Sequence, residues 1–93
     1  MIFEEMEMFV CSLEIENGQR KTIQTINAPR FVLQQQFISL VQEASKSAIP
    51  IRIKMSRKVP IYDNFDNQWI EREASVTFEN KSYEDKNRGD TNG

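Results

Sequence analysis

Leu33, Phe37, Leu40, Val41, Ala44 and Ala48 fall at i, i+4, i+7, i+8, i+11 and i+15, one continuous apolar stripe along a helix. A single amphipathic helix cannot bury its stripe by itself, so the rest of the chain must supply a second layer with one apolar face. The helix is expected over residues 27–48. Asn27 stands ready to cap it, and Pro29 lies in the first turn, where a missing N–H costs nothing. Phe31, Val32 and Ile38 flank and widen the stripe, while Gln34, Gln35, Ser39, Gln42, Glu43 and Lys46 cover the other faces. Pro50 disfavours helical geometry at Ile49 and ends the run.

Strand periodicity surrounds this helix. In residues 7–15, Phe9, Cys11, Leu13 and Ile15 alternate with Met8, Val10, Ser12 and Glu14. Asn17-Gly18 follows, a strong hairpin signal because both residues tolerate positive φ. A three-residue Glu16-Asn17-Gly18 loop would set Cys11 opposite Ile23 and keep Ile23 on the Phe9–Leu13 face, the preferred register. Beyond the helix, Ile51, Ile53 and Met55 alternate with Arg52, Lys54 and Ser56. Ile70, Ala74, Val76 and Phe78 then alternate with Glu71, Glu73, Ser75 and Thr77, with Arg72 interrupting the inward run. The joining loop comes to about nine residues on this reading, longer than the roughly 2–5 of an ordinary hairpin.

The order is ββαββ, and the expected fold is α+β: a two-layer sandwich, its four-stranded, antiparallel-rich sheet carrying one helix on one face. One domain over residues 1–81 is expected. Residues 82–93 have so little apolar content that a disordered C-terminal tail is expected there.

The composition excludes more than it assigns. A chain of 93 residues buries roughly 60–65% of its unfolded surface and has little room for a deep cleft. With no histidine, neither Ser-His-Asp nor Cys-His catalysis can be assembled. There is no P-loop or GxGxxG motif, no enzyme is expected, and no cofactor is implied. The net charge of −2 gives no general attraction to nucleic acid or anionic membrane. No apolar run reaches the ~18 residues of a membrane span. The N-terminus carries acids where a signal peptide carries Lys or Arg, and Cys11 is the only cysteine, so a cytoplasmic protein is expected. Cys11 lies on the inward face and reads as a small buried hydrophobe.

The stretch RKVPIYDNFDNQWIERE, residues 57–73, holds the candidate site. Asp63, Asn64, Asp66 and Asn67 offer hard oxygen atoms, but lack the spacing, turn glycine and distal glutamate of a calcium loop, so no metal is expected and turn-capping accounts for them. Tyr62, Phe65 and Trp69 are aromatic anchors for a protein partner, with Asp63 and Asp66 as polar rim. Trp69 shares its outward parity with Met8 and Val10, which makes the helix-free sheet face a self-association surface or a face covered by Met1–Phe3. The alternative is single-stranded nucleic acid, with Trp69 stacking a base and Arg52, Lys54, Arg57 and Lys58 holding phosphates. Folding the hairpin about its loop sets Lys54 near Glu73 and Ser56 near Glu71, so acids offset the bases on that face. Glu4, Glu5 and Glu7 form a solvated acidic run, and Arg88-Gly89-Asp90 is a chance tripeptide.

The reading that follows is a small non-enzymatic interaction module, a homodimer or a partner-docking protein. A regulatory or inhibitory protein of a phage or mobile element fits its size and lack of catalytic equipment.

Overall fold

The computed structural model describes residues 7–92, and their side chains as far as Lys86. The elements are β1 (Met8–Asn17), β2 (Arg20–Pro29), α1 (Arg30–Ser45), β3 (Ile51–Asp63), β4 (Gln68–Glu79) and α2 (Lys81–Asn92). The four strands form one antiparallel sheet in the order β2-β1-β3-β4. This is the expected α+β, ββαββ arrangement, with α1 laid on one face of the sheet.

The core lies between that face and the α1 stripe. Cys11, Leu13, Ala28, Leu33, Ala44, Ile53 and Met55 are buried, and Phe9, Ile15, Ile26, Phe37, Leu40, Ile51 and Phe78 pack around them. Leu13 and Ile53, each 1% exposed, are the largest side chains fully withdrawn from water. Burial of such a side chain is worth about 1.5–3 kcal/mol.

The first hairpin differs from the expected register. Its loop is Gly18-Gln19, closed by the Asn17–Arg20 pair, and Cys11 faces Ile26 instead of Ile23. Gly18 takes the positive φ (64°) that the first position of a two-residue loop requires, and its N–H donates to the Pro50 carbonyl at 2.9 Å. The physical reason is burial. The observed register puts both Ile26 and Ala28 on the core face, opposite Cys11 and Phe9, whereas the expected one would have placed only Ile23 there. Ile23 is 63% exposed on the other face. Asn27 is consequently a strand residue and caps nothing. Pro29 occupies the N-cap position of α1 in extended geometry (φ −63°, ψ 156°), with no side-chain cap. The helix stops at Ser45, short of Ala48, which is exposed.

After β4 the chain continues as α2. Asn80, 2% exposed, stands at its start. Its Nδ2 donates to the Ala44 and Ile49 carbonyls, both at 2.9 Å, and its Oδ1 accepts from the N–H groups of Ile51 (3.0 Å) and Tyr83 (2.9 Å). One side-chain amide therefore caps α2 three residues in, closes the end of α1 and fixes the start of β3. Tyr83 adds a hydrogen bond from its hydroxyl to Glu16 Oε2 at 3.3 Å.

The largest departure is the second hairpin. β3 and β4 pair from Arg52–Glu79 out to Asp63–Gln68, leaving a loop of Asn64, Phe65, Asp66 and Asn67 in place of the expected nine residues. Lys54 accordingly faces Thr77 and Ser56 faces Ser75, although the Lys54 ammonium still reaches Glu73 Oε1 at 3.5 Å. β1 meets β3 only from Ser12–Ser56 to Asn17–Ile51. Beyond Ser56 the sheet divides, with Met8–Cys11 of β1 staying on β2 and Arg57–Asp63 of β3 pairing only with Gln68–Ala74 of β4 as a two-stranded arm. Pro60 fits here because β3 has lost its β1 neighbour, and a residue without N–H is tolerated where one side of a strand is open. Among the described residues no helix is long and apolar enough to cross a membrane.

Candidate protein-interaction surface

The arm has two faces and a tip. By register, Arg57, Val59, Ile61, Ile70, Arg72 and Ala74 share the face on which α1 lies, and Lys58, Pro60, Tyr62, Trp69, Glu71 and Glu73 share the outer one. α1 rests against β2 and β3, and of the arm residues only Arg57 and Ala74, at its base, share a groove with it. Both arm faces are thus open. Ile61 is 45% exposed on the inner side, and Tyr62 and Trp69 are 43% and 69% exposed on the outer.

The structure places the predicted aromatic residues together. Tyr62 and Trp69 are a cross-strand pair, edge to face, with ring centroids 5.4 Å apart and planes at 75°. Phe65 stands at the tip and is 97% exposed. Asp63 holds the turn that presents it, since Asp63 Oδ1 accepts the Phe65 N–H at 2.9 Å. Asn67 closes the loop in the left-handed region at φ 52°. Asp66 is exposed at the same tip. The carboxylate of Asp63 thus has a turn-forming role, and no cluster of three or more potential metal ligands occurs among the described residues.

Met8 and Val10 lie on the outer face, 52% and 61% exposed. They are not contiguous with the Tyr62–Trp69 pair. Where β1 and β3 part, an open groove of about 770 Å³ separates Met8 and Val10 from Lys58 and Pro60. The expectation that Met1–Phe3 cover this face, and the Glu4–Glu5 run, lie outside the described residues.

The residues grouped for nucleic acid are not gathered on one surface. Arg52 lies 3.7 Å from Glu16 and 3.5 Å from Glu79, and Lys54 is paired with Glu73. Lys58 sits directly opposite Glu73 in the ladder. Arg57 is turned to the inner face, away from Trp69, with its guanidinium carbon 4.5 Å from the centre of the Phe9 ring.

That inner face holds a feature missed from sequence. A groove of about 640 Å³ runs between α1 and the base of the arm, lined by Leu33, Phe37, Ile38, Met55 and Val76 together with Arg30 and Arg57. Val76 and Ile38 are 49% and 47% exposed within it. Among the described residues no Asp or Glu lines it. Neither arginine pairs with a carboxylate among the described residues. The signal was present: the odd-numbered run Ile51, Ile53, Met55 continues through Val59 and Ile61, and only Pro60 makes it look like a loop.

In comparisons with known proteins, no family model, no curated protein and no solved structure matches this chain.

Proposed function

We propose that the protein is a non-enzymatic interaction module that docks through the β3–β4 arm. The observation that carries this reading is an arm open on both faces, with apolar side chains on each and a fully presented phenylalanine at its tip. A two-stranded hairpin with no layer against it is marginally stable on its own. Its apolar groups gain from a second surface, and large exposed aromatics held by a rigid turn are the side chains that dominate interface energetics. Asp63 contributes by fixing the turn, Asp66 by charge at the rim, and Tyr62 by holding Trp69 edge-on.

The test is a Phe65→Ala, Trp69→Ala double variant of the full chain. Self-association by sedimentation and partner capture in a pulldown should both fall, with the circular dichroism spectrum unchanged. Association equal to that of the parent chain in both assays contradicts the reading. Single-stranded nucleic acid is disfavoured by the pairing of Arg52 and Lys54 with acids and by the placement of Arg57 on the face of the arm away from Trp69. It predicts a mobility shift of an oligonucleotide at ~50 mM salt that disappears steeply as salt rises.

A further inference from the structure

We infer that the occupant of the inner groove is the arm tip of a second copy of this chain, so that two protomers exchange arms across a two-fold axis. The inference rests on the docking role proposed above and names the partner.

Charge complementarity points to it first. Among the described residues the groove carries Arg30 and Arg57 and no acid, while the tip sequence Asp63-Asn64-Phe65-Asp66-Asn67 carries two acids and no base. The tip also supplies the apolar group the groove lacks. Phe65 has almost no contact in its own protomer, and the groove exposes Ile38 and Val76, each by about half, beside the buried Leu33 and Met55.

The arm's length makes the exchange reciprocal. Seven rungs, Arg57–Ala74 to Asp63–Gln68, run from the groove to the tip, about 20 Å over six steps of ~3.3 Å. Two arms laid inner face to inner face and head to tail therefore place each tip at the base of the other. In that overlay the Arg57 rung of one copy meets the Asp63 rung of its partner, and the Val59 rung meets the Ile61 rung. Phe65, two residues past Asp63, falls two past Arg57 on the other copy, at the Met55–Val76 rung that floors the groove. Asp66 then reaches the first turn of the partner's α1, where Arg30 projects. The same patch serves on both copies, as a closed two-fold contact requires. Trp69, on the opposite face, takes no part and remains free for another surface.

Sedimentation equilibrium of the full chain tests this with four variants. The parent chain should be a dimer. Phe65→Ala should raise its dissociation constant by about 30-fold or more, as loss of a central aromatic anchor does. Glu71→Gln, on the outer face of the same arm, should leave it within about threefold. Arg30→Glu and Asp66→Arg should each weaken the dimer by about tenfold. Mixed in equal amounts they should recover a heterodimer of near-parental affinity, because each groove then meets a tip of opposite charge. Both sites are exposed, so neither change threatens the fold. A monomeric parent chain, a dimer insensitive to Phe65→Ala, or failure of the mixture to recover affinity overturns the arm exchange. If the parent is monomeric while the Phe65→Ala, Trp69→Ala variant loses a captured protein, the docking role stands and only the second copy as partner is wrong.

Discussion

At the Ile51 end of the sheet, β3 lies between β1 and β4, with α1 above it and Asn80 binding α1, β3 and α2 into one unit. At the Asp63 end the same strand has one neighbour and nothing above or below it. The residue types scarcely differ. Ile53 and Ile61 sit on one strand with the same parity, yet Ile53 is 1% exposed and Ile61 45%. The contrast shows that alternation specifies which side chains share a face, while burial is decided by whether a further layer reaches that far.

The sharpest way to break the comparison is to truncate both isoleucines. Ile53→Ala should cost about 2–5 kcal/mol in urea unfolding, since it opens a cavity in the packed layer. Ile61→Ala should cost less than about 1 kcal/mol in dilute protein, where the arm has no partner. Equal losses would mean the arm is covered. Asn80→Ala comes next, at about 2–4 kcal/mol, because four backbone groups lose a side-chain hydrogen bond at once. Asn80→Asp should also destabilise, since a carboxylate cannot donate to the Ala44 and Ile49 carbonyls. Circular dichroism of either variant should show reduced helix content if Asn80 holds α2. Gly18→Ala should cost about 1 kcal/mol from its positive φ alone. The added methyl would lie 3.5 Å from Ile49 Cγ2, an ordinary contact, so no clash adds to it. The smallest effect is expected at the arm's base: Lys54→Ala should change stability by less than about 0.5 kcal/mol, its pair with Glu73 being partly solvated.

Much of the covered half was legible in the sequence. The alternation of Phe9 to Ile15 and of Ile51 to Met55, and the α1 stripe, each specify a face, and together they specify two layers. The errors came where one residue outweighed its neighbours. Asn27 and Pro29 resembled a helix start, which removed Ala28 from the strand, and the choice of a three-residue loop that kept Ile23 inward shifted the first hairpin by three positions. Pro60 resembled the beginning of a loop, although a proline is tolerated in a strand whose neighbour has ended. Asn80 gave no signal, because a buried amide of this kind is recognised only by the four groups that converge on it from distant parts of the chain. At the candidate site, Tyr62, Phe65 and Trp69 were identifiable as aromatics among polar turn residues. Their division between tip and outer face was not, since it depends on how far the ladder runs. The Arg30–Arg57 groove was hidden for the same reason.

Amide hydrogen exchange, followed against protein concentration, tests the docking role of the arm most directly. Amides of β1 and of Ile51–Met55 should be slow to exchange at every concentration. Those of the arm, Arg57–Asp63 and Gln68–Ala74, should be fast in dilute protein and gain protection as concentration rises, with Phe65→Ala abolishing the gain. Arm amides that are slow and independent of concentration in both proteins would show a hairpin stable without a partner, and would contradict the account.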